Sequence, residues 1–280
     1  MSFSGRLFAQ DAVFSQFYSS PVQLNPAFVG TTYSPKVALN YRNQWSSIFN
    51  AYVTYAASFD QFSEKLNSGF GFSAIVDQAG DGVYNTGGFS VIYSYRIPVG
   101  DKFFIKGGVQ AGLRQVSVDW DRLTFLDQLD PIGGPILTTG ESRPDLLNRQ
   151  MFDLSTGVLL YSDLFYGGFS AYHLNTPDQS LLGSNDQLTD GLPMRFSIHG
   201  GMQISLNKPN AYNKGGVKTF VSPNILYTNQ GGFSQVNMGA YLGLGQVYGG
   251  VWYRHASSNP DAAIFLIGYN KSIFKIGYSY

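Results

Sequence analysis

The stretch MRFSIHGGMQIS, residues 194–205, decides the fold. Every second position holds an apolar side chain or a glycine, and polar residues or glycine stand between them. Successive side chains of a β-strand point to opposite faces of a sheet. The stretch therefore predicts a strand with one face for lipid and one for water. It also has the length that a tilted strand needs to cross a bilayer.

The same alternation recurs along the chain and predicts an all-β protein. Strands are predicted at 37–45, 51–60, 68–78, 84–97, 103–118, 150–161, 164–174, 194–205, 218–228, 233–244, 247–254, 263–270 and 273–280. That makes thirteen strands, whereas bacterial single-chain barrels use an even number. We therefore predict a transmembrane antiparallel β-barrel over residues 37–280 with fourteen strands, the last of them beyond this sequence. Twelve strands are the alternative.

The composition supports a protein that lies in lipid. Aromatic residues make up 16% of the chain and charged residues only 13%. A barrel needs few charges on its outer face and many aromatic side chains at the two membrane interfaces. The sequence has no apolar run of the ~18 residues that a transmembrane helix requires. A net charge of zero argues against a nucleic-acid partner. The absence of cysteine excludes disulfides, cysteine-type zinc sites and thiol catalysis.

The connections between the predicted strands differ in length at the two ends of the barrel. Short connections at 98–101, 162–163, 245–246 and 271–272 fall at one end, and long ones at 119–149, 175–193 and 255–262 fall at the other. Connections 61–67 and 206–217 are longer than this pattern requires. Outer-membrane barrels have short periplasmic turns and longer extracellular loops. The long connections are therefore predicted to face the cell exterior.

The chain before the first strand divides into two parts. Residues 1–9 are interpreted as the remnant of a signal peptide, cleaved after Ala9, or as a disordered start. Residues 10–36 form a long N-terminal segment that carries Pro21, Pro26 and Pro35. Such a segment either fills the lumen as a plug or lies on the periplasmic rim, and the sequence leaves both open.

The sequence offers no set of catalytic, cofactor-binding or metal-binding residues. A hydrolase needs a nucleophile, a base and an orienting group together, and no GxSxG elbow or EF-hand spacing is present. We interpret His173, His199 and His255 as rim or lumenal side chains bonded to their neighbours. The chain is therefore predicted not to be an enzyme.

Basic residues on the predicted polar faces give the lumen a mildly basic character. They are Arg42, Arg96, Lys106, Arg114 and Arg195. A basic lumen favours anions. Alternatively, these side chains pair with acidic groups such as Asp153.

Three motifs near the N-terminus carry a resemblance to a known family. They are QDAVFSQFY at 10–18, LNPAFVG at 24–30 and YRNQW at 41–45, and KIGYSY at 275–280 follows at the end. In this order they resemble the PorP/SprF family of outer-membrane proteins of Bacteroidetes, which is tied to the type IX secretion system and to gliding motility. The resemblance implies a non-enzymatic barrel, with no cofactor, in the outer membrane.

The resemblance also implies partners. Family members assist secretion or surface retention of type IX cargo, including large adhesins, and some are linked to a periplasmic peptidoglycan-binding protein or lipoprotein. Together with outer-membrane lipid, these are the expected partners. A transporter of small hydrophobic molecules and a diffusion porin are the alternative functions.

Five residues of the resembling motifs are given structural roles as a hypothesis. Asn25 and Pro26 are predicted to set a tight turn before the first strand. Arg42 and Gln44 are predicted on the lumenal face, where they would pin the N-terminal segment by hydrogen bonds. Trp45 is predicted in the aromatic girdle at the outer interface.

Overall fold

The computed structural model describes residues 11–45, 47–48, 51–144, 146–181, 191–206, 219–257 and 261–280. The interpretation of residues 1–9 as a signal-peptide remnant or disordered start lies outside these ranges.

An antiparallel sheet of fourteen strands makes up most of the fold, and each long strand pairs with its neighbour along the chain. Its strands are β1 (Lys36–Gln44), β2 (Tyr52–Ser63), β3 (Ser68–Ala79), β4 (Tyr84–Val99), β5 (Phe103–Val118), β8 (Asn148–Tyr161), β9 (Phe165–Tyr172), β10 (Arg195–Met202), β11 (Ile204–Ser205), β12 (Thr219–Gln230), β13 (Phe233–Leu244), β14 (Val247–Ala256), β15 (Ala262–Lys271) and β16 (Phe274–Ser279). Between β5 and β8, β6 (Leu129–Asp130) and β7 (Gly134–Pro135) form a separate small hairpin.

The sheet has the predicted fourteen strands, but this number includes the short β11, and the further strand expected beyond residue 280 stays a prediction. The alternation at 194–205 predicts one strand, whereas the structure divides it into β10 and the two-residue β11. Gln203 separates the two, and its backbone N–H donates to the Leu164 carbonyl oxygen at 2.8 Å, next to the last pair of the β9–β10 ladder, Met202 and Phe165. Within the described residues, β1 pairs with β2 and β16 pairs with β15, and neither has a second neighbour.

The two faces of the sheet follow the predicted alternation. On β10, Ile198 is 57% exposed, whereas Ser197 and His199 on the opposite face are 2% exposed. The pleat places Ile198 beside Phe169 and Tyr227 of the neighbouring strands, so apolar side chains collect on one outer face. The inner face carries mainly small polar side chains. Among the described residues, no helix is long and apolar enough to cross a membrane.

The core of the fold is the chain before β1. Residues 11–35, called the N-terminal segment below, contain the short helix α1 (Pro21–Leu24) between two 3-10 turns, Phe17–Ser19 and Pro26–Phe28. Proline at the start of α1 and of the second turn fits these elements, because the first helical N–H needs no partner there. The segment contacts inner-face residues from β2 to β15, so the sheet curves around it.

The sheet has two distinguishable ends. We call the end with connections 119–147 and 173–194 the long-loop end, and the opposite end, with turns 100–102 and 245–246, the short-turn end. Loop 119–147 contains the β6–β7 hairpin and two further 3-10 turns, Trp120–Arg122 and Leu126–Gln128, and another 3-10 turn, Glu64–Leu66, lies at the short-turn end.

Candidate functional site

Asn25 is the central contact between the N-terminal segment and the sheet. It is fully buried, and its Nδ2 donates to the carbonyl oxygens of Val158 and Phe169, each at 3.1 Å. The same Nδ2 lies 3.0 Å from His199 Nε2. Its Oδ1 accepts from the Ala27 backbone N–H at 2.8 Å and so caps the turn that Pro26 begins. Asn25 thus joins a local turn to three strands.

Glycines in the sheet let the segment approach it closely. A Cβ at Gly157 would lie 2.0 Å from Asn25 Oδ1, and one at Gly108 would lie 2.4 Å from the Ala27 backbone nitrogen. A Cβ at Gly69 would lie 2.2 Å from the Val29 carbonyl oxygen. At all three positions, backbone or a short side chain of the segment occupies the space of a side chain.

Lys106 anchors the segment near the short-turn end. It is fully buried, and its Nζ donates to the carbonyl oxygens of Val29 at 2.5 Å and Gly30 at 2.6 Å. Ser94 Oγ also donates to the Val29 oxygen at 2.7 Å. The Gly30 N–H donates to Asp60 Oδ2 at 2.8 Å. The backbone N–H and the carbonyl oxygen of Gly30 therefore both have hydrogen-bond partners.

The middle of the segment is bonded through its backbone carbonyls. Ser170 Oγ donates to Leu24 O at 2.7 Å, Tyr172 Oη to Val22 O at 3.0 Å and Arg195 Nη2 to Gln23 O at 3.2 Å. Such bonds satisfy carbonyls that no regular helix or ladder would satisfy.

Apolar contacts complete the packing. Phe17 and Leu24 of the segment pack with Leu226, Trp252 and Ile264 of the sheet. The Phe17 and Trp252 ring centroids are 5.0 Å apart in an edge-to-face arrangement. The segment is therefore held by both hydrogen bonds and buried apolar surface.

At the long-loop end, Asp11 lies among three cationic side chains. Its Oδ2 is 2.6 Å from His173 Nε2 and 3.0 Å from Arg195 Nη1, and its Oδ1 is 3.3 Å from Arg114 Nη2. Its backbone N–H donates to Gln230 Oε1 at 3.0 Å. Burial alone would raise the pKa of Asp11, but the positive charges of His173, Arg195 and Arg114 hold it well below its usual value.

His173 is placed between two carboxylates. Its Nδ1 is 2.9 Å from Asp153 Oδ1, and its Nε2 faces Asp11. Both ring nitrogens must donate to satisfy these contacts, which requires the imidazolium form. Burial opposes this charge, but the charge of Asp11 and the hydrogen bonds to Asp11 and Asp153 raise the pKa of His173 above its usual value.

This arrangement predicts a pH dependence. The ion pair between protonated His173 and Asp11 stabilises the attached segment fully below the usual histidine pKa of about 6.5. This stabilisation is lost as the pH rises through the raised pKa of His173. We expect the first residues of the segment to become several-fold more sensitive to protease above that pKa. His173→Asn should remove the pH dependence, and His255→Asn, at an exposed position near the end of β14, should keep it. Constant protease protection from pH 6 to pH 10 would contradict the prediction.

A cavity of about 400 Å³ adjoins this cluster. The N-terminal segment forms one side of it, and strand ends and loop residues at the long-loop end form the others. Asp11, Arg114, Asp153, His173, Gln179 and Arg195 line it. Within the described ranges, no group of three or more histidine, aspartate or glutamate side chains is arranged to hold a metal ion.

The five residues with predicted roles lie in two separate places. Asn25 and Pro26 form the turn against the sheet. Arg42 Nη2 donates to Gln44 Oε1 at 2.6 Å, and Trp45, 57% exposed, follows β1 at the long-loop end with its ring against Tyr52. The pinning role of Arg42 and Gln44 and the girdle role of Trp45 stay predictions. The hydrogen bonds that hold the segment come from other strands.

The sequence analysis did not identify the residues that join the N-terminal segment to the sheet, namely Asp11 on the segment and Lys106 and Gly108 on the sheet. Asp11 belongs to the QDAVFSQFY motif at 10–18, which is the one signal that could have singled it out. Lys106 and Arg114 were placed on the polar face, but their partners were left open. The basic side chains Arg114 and Arg195 pair with Asp11, and Asp153 pairs with His173.

Comparison with known families agrees with this architecture. The family model for the type IX secretion system membrane protein PorP/SprF matches residues 7–280. Comparisons with curated proteins and with solved structures found no match. The match spans the N-terminal segment and every strand of a sheet whose outer face is apolar. This chain is therefore an outer-membrane β-barrel protein that belongs to the PorP/SprF family of type IX secretion system membrane proteins.

Proposed function

We propose that this barrel does no chemistry, that the N-terminal segment closes its lumen, and that it assists secretion of a type IX surface protein, or anchors it, outside the outer membrane. The observation that carries the proposal is the attachment of the segment along its length, from Asp11 at the long-loop end to Gly30 at the short-turn end. A barrel whose lumen holds a segment fixed in this way is better suited to anchoring a partner than to letting molecules pass through.

Two alternatives make different demands on the lumen. A diffusion porin needs a water-filled channel, and a carrier of small hydrophobic molecules needs a continuous apolar path. The attached N-terminal segment occupies the space that a porin channel would need. The buried inner face also interrupts an apolar path with polar side chains, including Ser73, Ser94, Gln110, Ser155, Ser170, Ser197, Ser222, Asn224 and Asn237. Measurable conductance of the purified protein, or a bound lipid, would favour one of these alternatives.

The outer loop 119–147 offers a surface for the secreted protein, which we propose to be an adhesin. Ile132 is 99% exposed, Leu126 88% and Ile136 67%. Asp130 Oδ1 accepts from the backbone N–H groups of Ile132 and Gly133 at 2.9 and 2.7 Å, so the hairpin is held in shape. Exposed aliphatic side chains on a shaped loop are typical of a protein-binding surface.

The short-turn end offers a surface for a periplasmic partner, which we propose to be a peptidoglycan-binding protein or lipoprotein. There the Arg96 guanidinium lies 4.2 Å from the ring centroid of Phe62 and 5.1 Å from that of Phe104. Arg96 also donates to the Tyr33 hydroxyl at 3.2 Å. Stacked arginine and aromatic groups are frequent anchors in protein interfaces.

The experiment that tests the function is a pull-down from the native outer membrane in mild detergent, with identification of the proteins that co-purify. Recovery of a large secreted surface protein or of a peptidoglycan-binding protein is expected. A barrel that comes out alone and conducts ions in a planar bilayer would overturn the proposal.

Removing the aliphatic side chains of loop 119–147 should weaken cargo recovery. We expect the triple variant Leu126→Ser, Ile132→Ser, Ile136→Ser to retain less than a tenth of the surface protein in the pull-down, because it removes three exposed apolar contacts. Ile273→Ser, at an 86% exposed position of the opposite end, is the matched control. Equal recovery by the triple variant and this control would show that the loop is not the cargo surface.

A further inference from the structure

Three cations from the sheet and its loops meet one carboxylate of the N-terminal segment. Arg114 lies on β5, Arg195 on β10, and His173 directly after β9, whereas Asp11 lies at the start of the segment. His173 is almost fully buried, and Arg114 and Arg195 are largely buried. The sheet and the residue that follows β9 thus contribute three cations that hold one carboxylate, which in this structure is that of Asp11.

The cavity beside this group of cations is lined by two buried hydrogen-bond donors without a partner among the described residues. Arg114 Nε and Gln179 Nε2 are buried and have no hydrogen-bond partner among the described residues, and both side chains line the cavity. The Arg195 guanidinium lies 4.3 Å from the Tyr172 ring centroid, which fixes its plane. Unpaired buried donors are costly, so a ligand that accepts from them would be stabilised.

The charges that line the cavity determine what it can take. Without Asp11, the cations Arg114, His173 and Arg195 face the carboxylates of Asp77 and Asp153. Asp77 accepts from Thr54 Oγ1, and Asp153 is held by His173. Three positive and two negative charges leave a net charge of +1. One monoanionic carboxylate restores neutrality, as Asp11 does in the structure.

We propose that this cavity binds a carboxylate of a peptide, which replaces Asp11 on Arg114, His173 and Arg195 and thereby frees the start of the N-terminal segment. The inference rests on the proposed function, because it takes the peptide to come from the protein that this barrel holds. The volume of about 400 Å³ lies within the usual range for ligand pockets. The peptide carboxylate is either a C-terminus or an acidic side chain, and the experiment distinguishes them.

The first test asks whether the site takes an external carboxylate. We expect Asp11→Ala to bind acetate at least tenfold more tightly than the native chain, by isothermal titration at constant ionic strength with chloride as the reference anion. Asp11→Ala combined with Arg195→Gln should lose this binding. Equal acetate binding by the native chain and by Asp11→Ala would overturn the proposal.

The second test uses native Asp11. The sequence has no cysteine, so Ala12→Cys gives a single site beside Asp11 for maleimide labelling. A short peptide of neutral residues with a free C-terminus should raise the labelling rate at least fivefold, while its C-terminal amide should not. If an amidated peptide with one aspartate acts instead, the site recognises an acidic side chain.

A labelling rate that no peptide changes would overturn the proposal even if Asp11→Ala binds acetate. In that case Asp11 would be a permanent internal ligand. The proposed function would remain in place, because the pull-down and the loop variants do not depend on this cavity.

Discussion

Gly108→Val is expected to expel the N-terminal segment from the sheet, whereas Gly107→Val is expected to leave it in place. A Cβ at Gly108 would lie 2.4 Å from the Ala27 nitrogen and 2.5 Å from the Pro26 carbonyl carbon. These are backbone atoms, so no change of rotamer relieves the clash. Overpacking of this kind typically costs about 1–3 kcal/mol, and more where backbone must move.

The matched control, Gly107, is the neighbouring residue on the opposite face of β5. A Cβ there would have no atom within 4 Å. Both variants place valine in the same strand, so differences in strand propensity or expression affect them alike. Only the inner position changes the contact with the segment.

Two measurements check the prediction for Gly108→Val. Residues 11–35 should lose protease protection, and the conductance in a planar bilayer should rise at least tenfold, because the segment no longer fills the inner face. The Gly107→Val variant should match the native chain in both. Full protection and unchanged conductance in Gly108→Val would show that the segment is not held by this contact.

Asn25→Leu is expected to detach the same segment by removing hydrogen bonds. The amide contacts Val158 O, Phe169 O and His199 Nε2, and it accepts from Ala27 N. Each buried polar group left without a partner costs about 1–3 kcal/mol. Leucine has the same branching and the same number of side-chain heavy atoms as asparagine, but it forms no hydrogen bond with any of these four partners. The thermal midpoint for protease protection of residues 11–35 should fall by about 10 °C or more.

Asn43→Leu is the control for Asn25→Leu. Asn43 lies on the outer face of β1 and is exposed, and an apolar side chain is tolerated on that face. The control should retain the native midpoint. If both variants shift it equally, the hydrogen bonds of Asn25 do not hold the segment. Because Gly108→Val acts by steric exclusion and Asn25→Leu by lost polar contacts, agreement between them would establish the attachment by two separate causes.

The fold was predictable from the sequence because alternation is a local property. The pleat of a strand fixes which side chains share a face, and the stretch at 194–205 shows this directly. The difference in length between 98–101 and 119–149 likewise distinguishes the two ends. The motifs at 10–18, 24–30 and 41–45 indicated the family. None of these signals depends on which strands face each other across the sheet.

The contacts of the inner face were decided only by the tertiary structure. Asp11 meets Arg114 and His173 across sequence separations of 103 and 162 residues. Alternation places Arg114 on the polar face but cannot choose its partner, because every polar residue on that face gives the same signal. The curvature of the whole sheet around residues 11–35 makes that choice. It also turns Gly108 from an ordinary strand glycine into a contact for the backbone of the segment.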